Sequence, residues 1–241
     1  MNKIQQEDVE YFARNFELRE DILGSNFLIT GATGLIGSTL VHSLLALKAN
    51  IHITCPVRNL EKAKRLFEGE LEQIDFIECD LLVFLKTLAS NNKYQYIIHC
   101  ASPTYGNYMV EHPVMTYELA YESTKSLLQY AAKTNVDGFV YISSIEYYGQ
   151  NADDRMITED FIGYVDPLRA RSSYPLGKRA AEYLCVAYAK EFQVPAKIAR
   201  LTQTFGAGVS KEDHRVFAQF AQSIIDNEDR VLHTTGESAK P

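Results

Sequence analysis

With 241 residues and 46% apolar content, the chain can bury one large core, or a core plus a small lobe. Its formal net charge of −7 offers no basic face for nucleic acid, and no segment approaches the ~18 continuous apolar residues of a membrane helix. The amino terminus lacks the apolar core of a signal peptide, the cysteines at 55, 79, 100 and 185 form no C-x-x-C, and the six histidines are scattered. The expectation is a cytoplasmic protein without metal that binds neither nucleic acid nor membrane.

In chain order, residues 1–23 read as one or two amphipathic helices, an extension ending at residue 24. Phe27, Leu28 and Ile29 then form a buried strand, and Gly31, Gly34 and Gly37 open a helix carrying Leu40, Val41, Leu44 and Leu45. A backbone turning sharply from strand to helix needs residues without a Cβ, and the helix N-terminus presents N–H groups to a diphosphate. The spacing G-x-x-G-x-x-G, over Gly31-Ala32-Thr33-Gly34-Leu35-Ile36-Gly37, is one residue longer than the commoner dinucleotide fingerprint. Within its strand–helix–strand context it predicts a nicotinamide dinucleotide site.

Further strand-like runs fall at 51–57, 74–79, 95–101, 138–143 and 196–202, with helical patterns between them at 60–68, 81–90, 113–134 and 175–193. This alternation predicts a Rossmann-type α/β domain over residues 25–202, a doubly wound parallel sheet with ligands at the carboxyl ends of its strands. Arg58 follows the second strand, where NAD-preferring proteins place an acid on the ribose 2′-hydroxyl. A guanidinium there favours a 2′-phosphate and hence NADP over NAD, or else it is a solvated residue opening a basic helix with Lys62, Lys64 and Arg65. Asp80, ahead of Leu81, either accepts from the adenine amino group or caps the following helix.

Tyr174 and Lys178 form Y-x-x-x-K at a helix start, with Ser172 or Ser173 as cap and Pro175 in the first turn. Four residues apart they share a face, where the ammonium and the helix terminus both favour tyrosinate for acid–base chemistry. Tyr121 and Lys125 repeat the spacing inside the long helix before the fifth strand, a context that does not favour catalysis. The fifth strand ends at Ser143-Ser144-Ile145-Glu146, which puts a hydroxyl and a carboxylate at the ligand-bearing edge.

These motifs together resemble the extended short-chain dehydrogenase/reductase family of NAD-dependent nucleotide-sugar epimerases, dehydratases and decarboxylases. The glycine loop matches its cofactor loop, Asp80-Leu81 its adenine-side acid, and His99-Cys100-Ala101-Ser102 its H-x-A-[AS]. Ser144 through Gly149 matches its serine turn, and Tyr174/Lys178 its Y-x-x-x-K. Within the family, His99–Pro103, Asn107-Tyr108-Met109, Gly163–Pro167, Arg179 and Glu182 are most similar to UDP-glucuronate decarboxylases. The resemblance implies a nucleotide-sugar substrate, transient oxidation at sugar C4, and a homodimer built on the 113–134 and 175–193 helices, whose apolar positions beyond one stripe (Leu119, Leu127, Leu128; Leu184, Val186, Tyr188) it would cover. It makes Tyr174 the base, has Ser144 steady the developing oxyanion, and places Lys178 on the nicotinamide ribose. It has Ala101 and Ser102 line the cofactor and Glu146 act on C5, unless Glu146 is a surface carboxylate. It also sets Arg215 against the nucleotide, unless Arg215 is an exposed helix-start residue.

Four positions depart from the family pattern: Ala120 for an active-site Asn, Ile145 for Ser, Gln203 for Asn, and Lys240 near an expected Arg. Residues 203–241 are expected to begin a substrate lobe that the chain leaves incomplete. The alternative reading is a dinucleotide-binding protein with lost or reduced catalysis, a scaffold or redox sensor.

Overall fold

Phe27 and Ile29 face one apolar layer and Leu28 the opposite one, the period-two alternation of a strand covered on both sides. The computed structural model describes residues 1–88, 93–103, 106–151, 156–209, 213 and 215–229. Its elements run α1 (Lys3–Asn15), β1 (Asn26–Thr30), α2 (Leu35–Ala46), β2 (His52–Val57), α3 (Leu60–Leu66), β3 (Ile74–Glu78), α4 (Leu81–Thr87), β4 (Tyr96–His99), α5 (Gly106–Glu111), α6 (Pro113–Thr134), β5 (Gly138–Ser144), α7 (Ser173–Phe192), β6 (Ala196–Leu201) and α8 (Val216–Asp226). The six strands form one sheet, their five pairings parallel, in the order β3-β2-β1-β4-β5-β6. The order reverses between β1 and β4, which opens a crevice at their carboxyl ends. The expected Rossmann architecture is therefore present.

One core layer joins Val41, Leu44 and Leu45 of α2 to Ile53 and Cys55 of β2 and to Phe67. The other gathers Leu127 and Leu128 of α6, Ala181 and Cys185 of α7, and Phe84 of α4 around Phe139 and Tyr141. The amino-terminal helix starts with a capping box between Asn2 and Gln5 and packs on α2. Helix α4 stops at Thr87, where Leu88 turns extended, short of the expected 90.

Two expectations about the helices need correction. Leu127 and Leu128, expected on a dimer face, are both fully buried in the core against the sheet. The apolar positions α6 and α7 do expose include Val114, Tyr117, Tyr183 and Val186. Ser172 does flank α7 as its N-cap, but its side chain makes no capping hydrogen bond, and the Ser173 hydroxyl donates to Met109 O instead (3.3 Å). Residue Lys240 lies outside the described residues.

Candidate active site

The glycine loop turns as its spacing requires. Gly31 has φ +72°, and a Cβ there would lie 2.7 Å from Ala101 N across the crevice. A Cβ on Gly37 would lie 2.2 Å from Gly31 O, so the first turn of α2 can approach the loop only without a side chain. Gly34 is the N-cap of α2, and Thr33, Leu35 and Ile36 complete the turn at the helix's positive end. This backbone cradle, which a side chain at either glycine would fill, fits a dinucleotide diphosphate.

Buried polar groups hold the crevice in shape. Thr30 Oγ1 accepts from Ala101 N (3.2 Å) and contacts His99 Nδ1 (2.6 Å), while His99 Nε2 meets Ser123 Oγ (2.9 Å), whose hydroxyl donates to Leu119 O. Only one proton arrangement satisfies every member: Thr30 donates to Nδ1 and Nε2–H donates to Ser123. Burial, with the Lys178 charge adding to it, pushes the His99 pKa down to about 3, so the ring is neutral. The chain of hydrogen bonds ties the end of β1 to α6.

Arg58 is exposed immediately after β2. Asp80 caps α4, its Oδ1 accepting from Leu82 N (2.9 Å) and Val83 N (3.4 Å); the cap leaves Oδ2 uncommitted by these bonds.

Tyr174 stands in the first turn of α7, close to Ser144 at the end of β5 and Ser102 just past β4. Burial raises its pKa, and the hydroxyls of Ser144 and Ser102 pull in the opposite direction. The expected lowering of the phenol is thus overturned: desolvation outweighs the polar neighbours. Lys178 lies one turn along, Nζ 5.6 Å from the Tyr174 ring centre, and donates to Ile142 O (2.8 Å). Burial brings the Lys178 pKa down to about 8, against the opposing influence of Cys100 and Glu182. By contrast, Tyr121 stacks on Tyr117, and Lys125 pairs with Glu122 (3.9 Å).

Glu146 follows Ser144 in a one-turn 3₁₀ helix, Ile145–Tyr148, and its Oε1 lies 2.7 Å from Arg171 Nη2. The Arg171 guanidinium also lies 5.9 Å from the Tyr174 ring centre. Sequence reading missed Arg171, although its place three residues before Tyr174, at the entry to the helix, was a usable signal. Ala120 sits where α6 crosses α7: a Cβ on Gly177 would be 3.1 Å from the Ala120 Cβ. Arg215, the N-cap of α8, is forked onto Asp213 and donates to Thr204 O (3.2 Å), and among the described residues no hydrogen bond links it to Tyr174. No cluster of ligating side chains able to hold a metal occurs among the described residues, and no described helix is long and apolar enough to cross a membrane.

UDP-glucuronic acid decarboxylase 1 of Xenopus tropicalis is 26% identical over 223 residues, covering 88% of this chain and 49% of that protein. UDP-glucuronic acid decarboxylase 3 of Arabidopsis thaliana is 29% identical over 223 residues, covering 88% and 60%. The chain thus spans about half the length of the first of these relatives. Among solved structures, a UDP-glucose 4-epimerase of Thermotoga maritima with UDP-glucose superposes with a TM-score of 0.74 at 20% identity, covering 88% of this chain and 67% of that one. A UDP-glucuronic acid 4-epimerase of Bacillus cereus in complex with NAD gives 0.64 at 23% identity, covering 84% and 64%. Those two likenesses are of fold. The profile of the NAD dependent epimerase/dehydratase family matches residues 27–241, and the chain belongs to that family.

Proposed function

We propose that this chain carries the hydride-transfer apparatus of a nucleotide-sugar epimerase, dehydratase or decarboxylase that oxidises sugar C4 transiently. The observation carrying this reading is the placement of Tyr174 one helical turn from a buried Lys178, which is tied to Ile142 O of β5, with Ser144 at the end of that strand, beside the crevice between β1 and β4. Gly31, Gly34 and Gly37 would hold the diphosphate of the dinucleotide, Asp80 would face its adenine, and Ala101 and Ser102 would flank the nicotinamide end. When bound, the nicotinamide supplies the acceptor and donor of hydride.

Tyr174 takes the proton of the C4 hydroxyl, and the Ser144 hydroxyl donates a hydrogen bond to the oxygen as it becomes a ketone. Lys178 holds the cofactor ribose and favours tyrosinate once the site is filled. The 4-keto group acidifies its α-position, and Glu146, steered by Arg171, serves elimination or loss of carboxylate at C5. Arg58 favours NADP over NAD. Arg215 and the segment from residue 203 onward contribute to a nucleotide-binding lobe. Self-association through α6 and α7 makes a homodimer.

Mixing the protein with NAD or NADP and a panel of UDP-, CDP-, GDP- and dTDP-sugars, while following nicotinamide absorbance and product, tests the reading. Turnover lost in Tyr174→Phe, kept in Tyr121→Phe, with dinucleotide affinity unchanged in both, is the expected result. In the same titrations Arg58→Ala should weaken NADP and spare NAD. Ala120, packed on Gly177 where the family resemblance leads one to expect an active-site Asn, favours a second reading, a dinucleotide-binding protein without turnover. Tight dinucleotide binding with no sugar oxidised across the panel would select it.

A further inference from the structure

The 3₁₀ turn between Ser144 and Gly149 carries two of the groups assigned to the reaction, and it sits outside the regular sheet. A turn of this kind keeps one geometry only if something external fixes its backbone and its rings. Two arginines do so here. Arg179 donates from Nε to Tyr147 O (2.7 Å) and from Nη2 to Gly163 O (2.8 Å). Arg200, projecting from the edge strand β6, lies with Cζ 3.7 Å from the centre of the Tyr147 ring, and its Nη1 donates to Glu159 O. A guanidinium over an aromatic face at that distance is both a cation–π and a stacking contact.

What holds Arg200 in place is Glu182, a carboxylate only 3% exposed in the middle of α7. Nη2 and Nε of Arg200 reach its Oε2 at 2.8 and 3.0 Å, and the Ser143 hydroxyl donates to its Oε1. Glu182 is also one helical turn beyond Lys178, on the same face. A buried ion pair is weak evidence of a contribution to stability, because desolvating both charges costs much of what their attraction returns. Its geometry, however, is directional: Ser143, the residue beside Ser144, donates to Glu182, and Arg200 lies over the Tyr147 ring of the 145–148 turn.

We propose that Glu182 and Arg200 are positioning residues: the pair, with Ser143 and the Tyr147 ring, clamps the turn that presents Ser144 and Glu146 to Tyr174. This rests on the functional reading of Ser144 and Glu146 given above. Neither Glu182 nor Arg200 touches the reacting atoms; they act by fixing the direction of side chains that do. Among the groups facing Glu182 and Lys178 are Arg200 on β6, Ser143 and Tyr141 on β5, His99 and Cys100 at the end of β4, and Tyr174 on α7.

Amide hydrogen exchange in Glu182→Gln, Arg200→Lys and Tyr147→Leu proteins tests the clamp without needing a substrate. Arg200→Lys keeps the charge but loses the fork and the flat stack, and Tyr147→Leu leaves the ion pair intact, so folded protein is available even if the buried Glu182→Gln change unfolds the chain. The expected result is at least tenfold faster exchange in peptides covering 145–150, with peptides covering 27–45 within twofold of wild type. Turnover should then fall about tenfold through kcat, with dinucleotide Kd within threefold and Arg200→Lys less impaired than Arg200→Met. Unchanged exchange at 145–150, or equal acceleration in both regions, overturns the proposal, as does local loosening with turnover intact. Absence of turnover in the wild-type protein counts against the functional reading, and the exchange pattern still decides whether the clamp exists.

Discussion

Arg171 and Glu146 face each other at 2.7 Å, so the carboxylate two residues past Ser144 is held by a guanidinium that also approaches the Tyr174 ring. The pair is half-exposed, and its value lies in direction more than in stability. If Glu146 acts on C5 after C4 has been oxidised, Glu146→Gln should still reduce the nicotinamide yet form product on the order of 10²–10⁴ times more slowly, the usual loss on removing an acid–base group. Arg171→Met should slow the same step about tenfold by freeing the carboxylate. Stopped-flow absorbance with product analysis separates the two steps, and a Glu146→Gln protein that made product at the wild-type rate would remove Glu146 from the mechanism.

Lys178 gives the site a pH dependence whose sign can be worked out. Its folded pKa, brought down to about 8 by burial, is below the unfolded value, so between pH 8 and about 10.5 the unfolded chain binds a proton that the folded chain does not. Over that interval this group makes the fold more stable as pH rises, while the ammonium proposed to hold the cofactor ribose disappears. Dinucleotide affinity should be about tenfold weaker at pH 9 than at pH 7, and Lys178→Met should flatten the profile. Titration by nicotinamide fluorescence checks it; an equal slope in the variant would assign the effect to another group.

His99 works at the acid end. Its pKa, pushed down to about 3 by burial, means that between pH 6.5 and about 3 the unfolded state gains a proton the native state refuses, so stability falls as pH falls. One such group contributes a slope of about 1.4 kcal/mol per pH unit. Denaturant unfolding of His99→Asn across this range should show a slope smaller by about that amount, and identical slopes would mean that His99 titrates normally.

The contact between Gly37 and Gly31 predicts a local and severe effect. A methyl 2.2 Å from a carbonyl oxygen forces the first turn of α2 off the sheet, so Gly37→Ala should cost roughly 1–3 kcal/mol in unfolding free energy and abolish measurable dinucleotide binding. Gly34→Ala, whose Cβ would meet the same oxygen at 3.4 Å, should cost less than half as much. Comparable losses in both would show that the close approach does not govern the loop.

Self-association should depend on exposed rings and not on the buried leucines. Tyr183 and Val186, 70% and 58% exposed, lie three residues apart on α7. If α6 and α7 form the homodimer face, Tyr183→Glu combined with Val186→Glu should convert a dimer to a monomer by light scattering at tens of micromolar while leaving the far-ultraviolet circular dichroism of the fold unchanged. A wild-type monomer at that concentration would refute the interface.

The sheet and the glycine loop were legible in the sequence because their signals are local: a run of apolar residues, a fixed glycine spacing, a helix that starts with Ser and Pro. Tyr174 and Lys178 were legible for the same reason, since four residues on a helix fix a face. The partners of these groups were not. Arg200 and Glu182 meet across β6 and α7, and Arg171 finds Glu146 across 25 positions, distances over which spacing carries no information. Leu127 and Leu128 misled because an apolar residue on a long helix looks alike whether a second subunit or the sheet below covers it. The raised pKa of Tyr174 escaped because desolvation depends on everything packed around the ring, which a motif does not encode.

The hydrogen bond between Thr30 and His99 joins residues 69 positions apart, and the β1–β4 pairing it terminates has the widest sequence separation of the strand pairings. Loop-closure entropy makes this the least local seam to form, and the crevice between the two strands exists only after it has closed. A dinucleotide lying there binds the finished sheet and nothing earlier. At a hundred times its Kd it would deepen the native well by about 2.7 kcal/mol. The supply of cofactor would then set how long a newly made chain keeps its central seam shut.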